Sequence, residues 1–294
     1  MALASVETPS GKGAGDENFP VGSWLLPAEL RPQVAVYYAF ARAIDDIADN
    51  PELAPQDKID RLSRFDAALG SAESDGPGLE KATALRLCLA ENGISTARGS
   101  DLVAAFKQDA VKLRYRNWEE LLGYCRLSAN PVGQFLLDLH GEDPSGYAAS
   151  DALCTALQVL NHLQDCQDDY HALDRVYLPL DWLETEGLDV TVLDAEASPP
   201  GLRRVLDLCL DRVDGLLTEA RLLPGQLRSS RLAMESAVIV KLATRLTRHL
   251  REGDPLARRV ALGKTDFALA GLGGIFGVQI QRLFGKPQTT GRTK

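Results

Sequence analysis

Apolar residues recur at helical spacing along most of the chain. In the first such stretch they stand at Val34, Tyr37, Tyr38, Ala41 and Ile44, mostly three or four positions apart. Because that spacing places side chains on one face of an α-helix, the stretch predicts an amphipathic helix. The same pattern predicts helices at 33–48, 56–69, 80–91, 100–112, 117–138 (interrupted at Asn130-Pro131), 151–168, 202–222, 230–252 and 266–283.

The remaining stretches predict loops rather than strands. Residues 71–78 are rich in turn-forming types, and a loop-rich stretch runs from 177 to 200. No segment alternates with the period of two that a half-buried strand requires. Since composition does not change along the chain, we expect one all-α domain at 17–284, preceded by a disordered lead at 1–16 and followed by a frayed tail at 285–294.

Charge and composition exclude several functional classes. The formal net charge is −9, which argues against general binding of nucleic acid. The five cysteines are dispersed, as expected for reduced thiols in the cytoplasm. No run reaches the roughly 18–20 apolar residues of a membrane-spanning helix. The closest approach, residues 267–280, is short and glycine-rich; it predicts a buried terminal helix, with contact to the inner membrane surface as the less favoured alternative.

Two clusters of acidic residues fall on predicted helices. In the first, Asp45 and Asp49 are four positions apart and therefore share one helix face. In the second, Asp165 and Asp169 repeat that spacing, and Asn161 precedes them by one turn. Like charges at this spacing destabilise a helix, and partial burial increases the cost. Oxygen ligands of this kind suit Mg²⁺; from the residues alone, a solvated surface patch is an equally good interpretation.

The clusters lie inside longer motifs that resemble the squalene/phytoene synthase family. The sequence ARAIDDIAD at 41–49 resembles the first signature of that family. The second family signature resembles a set of residues further along the chain: Gln158, Asn161, Asp165 and Asp169, followed by RVYLP at 175–179. Between the two signatures, three shorter elements fall in the expected order: Phe106 with Asp109, Arg114-Tyr115, and Tyr124-Cys125 with Val132-Gly133. The resemblance covers roughly residues 18–181.

The resemblance implies a fold, a cofactor and a substrate class. It implies an all-α isoprenoid synthase bundle around a central apolar cavity, with a prenyl diphosphate as substrate and Mg²⁺ as cofactor. The implied metal ligands and catalytic groups are Asp45, Asp49, Asp165 and Asp169, assisted by Asn161, with Tyr124 as a further catalytic residue. Arg42, Arg175 and Tyr177 would hold the diphosphate, and Phe19, Tyr38, Tyr124 and Gln158 would line the cavity. Without the resemblance, Tyr38 and Tyr124 would be interpreted as ordinary core residues.

Several departures from the usual family pattern resemble the branch that converts presqualene diphosphate to hydroxysqualene in hopanoid synthesis. Leu173-Asp174 stands where Arg-Gly is usual, and Gln164 also replaces an arginine. Fewer arginines suit a substrate with one diphosphate. Ser128 and Asn130 bring polar groups to an otherwise apolar wall, and we hypothesise that one of them orients the water that captures the carbocation; Asn130-Pro131 alternatively serves only to kink the helix.

This branch needs no NADPH and would exchange its substrate and product with other enzymes of hopanoid synthesis. The main alternative is the sister reaction, head-to-head condensation of two prenyl diphosphates to presqualene diphosphate, squalene or phytoene. A non-catalytic relative that retains the fold is the alternative from another class. Since such a relative would be expected to lose metal-binding carboxylates, the presence of all four argues against it.

Overall fold

Helices form most of the part of the chain that the structure, a computed structural model, describes: residues 6–7 and 25–284. Within this part the α-helices are α1 (Arg31–Asp49), α2 (Pro55–Gly70), α3 (Glu80–Glu91), α4 (Ala97–Asp109), α5 (Trp118–Ser128), α6 (Asn130–Leu139), α7 (Tyr147–Gln164), α8 (Cys166–Leu173), α9 (Leu180–Thr185), α10 (Pro200–Ala220), α11 (Leu223–Gln226), α12 (Ser230–Glu252) and α13 (Lys264–Phe284). The described residues contain no β-strand beyond a single parallel bridge between Arg114 and Val176. The predicted all-α class is confirmed.

Local sequence explains where many helices begin. Proline occupies the first turn of α1, α2, α6 and α10, where the missing N–H has no partner to lose. At the start of α12, the Ser229 hydroxyl accepts a hydrogen bond from the backbone N–H of Leu232. The predicted interruption near Pro131 is present, because α5 ends at Ser128 and α6 begins at Asn130.

The structure differs from the predicted elements at two short helices, α9 and α11, and between α7 and α8. Helix α9 lies in the stretch predicted to be loop-rich, because six residues are too few to show helical periodicity. The second acidic helix is divided: α7 ends at Gln164, α8 begins at Cys166, and Asp165 stands between them. The backbone N–H of Asp169 still donates to the carbonyl of Asp165 at 2.8 Å, so the four-residue spacing of the two aspartates is retained.

Two residues of the predicted disordered lead are ordered against the bundle. Val6 is buried in the core, and its carbonyl accepts a hydrogen bond from Arg61 at 3.1 Å. Glu7 pairs with Lys81 at 2.6 Å. These contacts were not predicted, because a single apolar residue among polar ones gives no periodic signal; the predicted disorder of the lead stays a prediction. The rest of 1–16, Phe19 and the tail at 285–294 lie outside the described residues.

Helix α7 occupies the centre of the bundle. It packs against α5, α6, α10 and α12, while α1 packs against α2, α3 and α4. Aromatic side chains such as Phe40 and Phe65 are fully buried between these helices. The two predicted acidic helices, α1 and α7–α8, therefore belong to the interior walls of one bundle.

Helix α13 packs on α12 through one side only. A Cβ atom at Gly274 would lie 2.8 Å from the backbone nitrogen of Val238, so the two helices approach closely only because this position is glycine. On the opposite side, Leu272 and Phe276 are more than half exposed. The favoured prediction of a buried terminal helix is therefore wrong for this outer side. None of the described helices is long and apolar enough to cross a membrane.

We expect Gly274→Ala and Gly277→Ala to have opposite effects on thermal stability. A Cβ at Gly277 meets no atom within 4 Å, so alanine there is expected to stabilise the helix by about 0.5–1 kcal/mol. The same change at Gly274 pushes α13 away from the α12 backbone and is expected to destabilise by about 1–3 kcal/mol. Thermal unfolding of both variants measures the difference, and equal melting temperatures would contradict the close packing of these helices.

Candidate active site

A polar cavity of about 300 Å³, here called the acidic chamber, lies between α1 and α7–α8. Asp45 and Asp49 line it from α1, and Asp165 and Asp169 line it from the opposite wall. The structure thus brings all four predicted carboxylates together. The lining residues are Tyr38, Ala41, Arg42, Asp45, Asp49, Phe106, Asp109, Tyr124, Ser128, Gln158, Asn161, His162, Asp165, Asp169, Leu173, Arg175 and Tyr177.

Two arginines neutralise the α1 side of the chamber. The Arg42 guanidinium lies 2.9 Å from Asp45 and 2.9 Å from Asp46. The buried Arg175 donates to Asp49 at 2.6 Å and to the carbonyl of Ala48 at 3.1 Å. Both arginines were predicted to hold diphosphate. Each one already lies beside a predicted metal ligand, so anion-binding and cation-binding groups are interleaved in this wall.

The crowding of acids is visible in their pKa values. Burial, followed by the neighbouring Asp49 carboxylate, raises the pKa of Asp45 to about 7. Burial, followed by Asp169, likewise raises the pKa of Asp165 above its usual value. In both cases the ionised form is disfavoured by desolvation and by a like charge. A divalent cation bound between the two walls would offset both effects, because it stabilises the ionised carboxylates.

The chemistry of the donor set fits Mg²⁺ held jointly with a diphosphate. Among the described residues, no three Asp, Glu, His or Cys side chains converge closely enough to hold a metal by themselves. Mg²⁺ characteristically takes one or two carboxylates and completes its shell with water and phosphate oxygens. The groups able to hold it are Asp45 and Asp49 on one wall and Asn161, Asp165 and Asp169 on the other.

Behind the predicted metal ligands, a buried cluster of aromatic and acidic side chains closes the chamber. The Tyr124 hydroxyl donates to the buried Asp109 carboxylate at 2.7 Å, and the Tyr177 hydroxyl lies 3.5 Å from it. Burial raises the pKa of Asp109 to about 7 and raises the pKa of both tyrosines. The His162 ring stacks on Tyr177, with centroids 3.5 Å apart.

Sequence reasoning did not assign roles to Asp109 or His162. Asp109 was noted only as part of a motif, and its position next to Tyr124 depends on how α4 packs against α5. His162 follows Asn161 directly in the sequence, and that adjacency was the only available signal. Both belong to the chamber.

A second, apolar cavity of about 320 Å³ adjoins the acidic chamber. Tyr38 and Ala41 line both cavities, so the two are neighbours along α1. The central apolar cavity implied by the resemblance is therefore present. Its other apolar lining residues are Leu26, Val34, Tyr37, Val132, Gly133, Phe135, Leu136, Leu137, Leu153, Cys154, Leu157, Leu223, Leu232 and Ile239.

The two residues considered for water orientation occupy different environments. Asn130 is buried, lines neither cavity, and accepts a hydrogen bond from the Thr155 hydroxyl at 3.0 Å. In this arrangement the Asn130 amide joins α6 to α7, and its predicted role in substrate binding stays a prediction. Ser128 lines the acidic chamber, and its buried hydroxyl has no hydrogen-bond partner among the described residues.

The predicted metal ligands can be tested by the stabilisation that Mg²⁺ and pyrophosphate give. For Asp165→Asn, we expect a given stabilisation to require at least about tenfold more Mg²⁺-pyrophosphate, since one charged oxygen is lost. Asp168→Asn is the matched control, because Asp168 is exposed on the same turn and does not line the chamber. Thermal unfolding over a series of Mg²⁺-pyrophosphate concentrations measures both, and equal weakening in both variants would contradict the assignment.

The buried Asp109 predicts a dependence of stability on pH. Its pKa is about 7 in the folded protein and about 4 in an unfolded chain. Because the folded state holds this proton more tightly, its contribution lowers the free energy of unfolding as pH rises from about 4 to about 7. Asp109→Asn is expected to make this decrease shallower, whereas Asp168→Asn keeps the wild-type slope. Denaturant unfolding from acidic to neutral pH measures the slopes; identical slopes would contradict the assignment.

Comparison with known proteins shows the family to which the chain is similar. Residues 13–266 match the family model for squalene/phytoene synthase. The hydroxysqualene synthase of Rhodopseudomonas palustris is 42% identical over 286 residues, 97% of each chain. That of Sinorhizobium fredii is 38% identical over 272 residues, 92% of each chain.

Solved structures agree as well. Squalene synthase HpnC from Alicyclobacillus acidocaldarius matches with a TM-score of 0.70 and 32% identity, covering 79% of this chain and 87% of that one. A dehydrosqualene synthase, at a TM-score of 0.70 and 19% identity, shares the fold. The fold, the two aspartate motifs and the sequence identity lead to one conclusion: the chain belongs to the squalene/phytoene synthase family.

Proposed function

We propose that this protein converts presqualene diphosphate and water to hydroxysqualene and diphosphate, with Mg²⁺ as cofactor and without NADPH. The observation that carries the proposal is the arrangement of the two cavities. Five aspartates and two arginines line the acidic chamber, and the apolar cavity begins at Tyr38 and Ala41. A substrate with one charged end and long hydrocarbon chains fits this combination.

Ionisation requires that the leaving group be neutralised. Asp45 and Asp49 from α1, and Asn161, Asp165 and Asp169 from the opposite wall, would hold Mg²⁺. The bound ion supplies charge neutralisation of the departing diphosphate. Arg42 and Arg175, which pair with Asp45 and Asp49, lie close enough to turn towards phosphate oxygens when those carboxylates bind metal. Tyr177 shares this end of the chamber.

After the C–O bond breaks, its electron pair leaves with the diphosphate and the hydrocarbon carries a positive charge. The aromatic faces of Tyr38 and Tyr124 line the chamber, where they can stabilise a passing carbocation. Gln158 lies in the same wall as Asn161. Water then adds to the rearranged cation and loses a proton, which gives the alcohol. Ser128 is the residue best placed to orient that water, because its hydroxyl lies in the chamber wall without another partner among the described residues.

Relatives support this reaction over the sister condensation. Three proteins named hydroxysqualene synthase are 38–42% identical to this chain over 87–97% of its length. Proteins named phytoene synthase are also similar, at 28–33% identity. Condensation of two prenyl diphosphates is therefore the competing activity. We further propose that the enzyme is cytoplasmic, acts at the inner membrane surface, and exchanges substrate and product with other enzymes of hopanoid synthesis.

Incubation of the purified protein with presqualene diphosphate and Mg²⁺ tests the proposal. We expect hydroxysqualene in the organic extract, detected by mass spectrometry, and no product when EDTA replaces Mg²⁺. Farnesyl diphosphate and geranylgeranyl diphosphate are the parallel substrates. Formation of presqualene diphosphate, squalene or phytoene from them, with presqualene diphosphate unchanged, would assign the sister reaction instead.

Within this experiment, Ser128→Ala separates water capture from ionisation. We expect the variant to consume substrate at a comparable rate but to release a smaller fraction of alcohol and more hydrocarbon from elimination. Removing a buried, unpaired hydroxyl is expected to leave stability unchanged or to raise it by about 1 kcal/mol. Ser145→Ala, an exposed serine outside the chamber, is the control. An unchanged product ratio would remove Ser128 from the mechanism.

A further inference from the structure

A second polar groove lies between α12 and α13, and its charged lining residues are all basic. Its volume is about 520 Å³, and four cationic side chains line it: Arg221, Lys241, Arg245 and Arg248. None of its lining residues is acidic. This is unexpected in a protein whose net charge is −9. We call it the cationic groove.

Three of these cations are not engaged elsewhere. Arg245 pairs with Asp266 at 3.1 Å, which ties the groove to the start of α13. The side chains of Arg221, Lys241 and Arg248 are exposed and form no ion pair or hydrogen bond with the residues that the structure describes. Since unpaired cations that share one groove repel one another, an anion there would be stabilised.

An exposed apolar stripe runs beside the cationic groove. It consists of Leu269, Leu272, Phe276 and Ile280, which are three or four positions apart and therefore follow one side of α13. These side chains are 53%, 63%, 61% and 54% exposed. Leu269 also lines the groove, so apolar and cationic surfaces are continuous. Large apolar residues grouped in this way indicate an interaction surface.

We propose that the apolar stripe and the cationic groove together dock the enzyme on a bilayer containing anionic phospholipids. The stripe would enter the boundary between headgroups and acyl chains, while Arg221, Lys241 and Arg248 would bind lipid phosphates. A second copy of the chain fits less well, because stacking two such faces brings two cationic grooves together. This docking surface rests on the proposed action of the enzyme at a membrane. Its binding to vesicles can be measured without assaying the enzymatic reaction.

Flotation with phospholipid vesicles tests the docking surface. We expect the protein to bind vesicles of phosphatidylcholine mixed with phosphatidylglycerol, to bind pure phosphatidylcholine far more weakly, and to dissociate as salt is added. Lys241→Gln with Arg248→Gln is expected to reduce affinity roughly 25-fold, about fivefold for each cation. Leu272→Ser with Phe276→Ser is expected to reduce it by about tenfold or more.

Matched controls carry the same chemical changes elsewhere on the surface. Arg64→Gln with Arg126→Gln removes two exposed cations outside the groove, and Leu87→Ser with Leu208→Ser removes two exposed leucines outside the stripe. These variants should retain wild-type vesicle binding. Equal losses in the controls, equal binding to neutral vesicles, or no binding at all would overturn the proposal. So would sedimentation data in which the stripe variants abolish dimerisation, because the occupant would then be a second copy.

The outcome can be separated from that of the proposed function. All variants are also assayed with presqualene diphosphate dispersed in detergent, where docking is not required. Surface variants that lose vesicle binding but keep this activity support the docking surface. If vesicle binding follows the prediction while wild type leaves presqualene diphosphate unchanged, the proposed reaction fails and the docking surface stands.

Discussion

Electrostatic repulsion among the carboxylates of the acidic chamber is the constraint on which the rest of the site depends. Asp45, Asp49, Asp109, Asp165 and Asp169 all line a cavity of about 300 Å³. Arg42 and Arg175 pair with Asp45 and Asp49, and burial raises the pKa of Asp45 and Asp109, which disfavours their ionised forms. Helix α4 packs against α1 and also against α5 and α6, which in turn pack against α7, so the two walls are held together in spite of the repulsion. The bundle therefore keeps these carboxylates close together at the expense of its own stability.

One face of each wall helix supplies the chemistry. On α1, Tyr38, Arg42, Asp45 and Asp49 follow one another at intervals of three or four residues and all line the chamber. The opposite wall repeats this spacing from Gln158 to Asp169, and the backbone hydrogen bond across Asp165 preserves it where α7 gives way to α8. Because Tyr38 also lines the apolar cavity, a single helix face leads from the charged end of the site to its hydrocarbon end.

Periodicity in the sequence was sufficient to predict the longer helices and the faces that carry the aspartates, because both depend on residues close together in the chain. It could not predict contacts between distant residues. Arg175 reaches Asp49 across 126 positions, and Tyr124 reaches Asp109 only because α4 packs against α5. The orientation of Asn130 could not be predicted either. A polar residue beside a cavity can point into it or, as here, accept a hydrogen bond from a buried hydroxyl behind the wall. Val6 was missed for a similar reason, since its burial depends on the surface it meets.

The departures from the usual family pattern differ in whether they reach the chamber. Gln164 is buried outside it and donates to the carbonyl of Val260 at 2.6 Å. Asp174 adopts φ of 51°, a left-handed conformation that glycine accepts most readily, and Arg114 pairs with its carboxylate. Among the departures that fall on described residues, Ser128 and Leu173 line the chamber. One adds a hydroxyl and the other places an apolar side chain where an arginine is usual. A chamber with an additional hydroxyl and one fewer cation suits a substrate that carries a single diphosphate and ends its reaction with water.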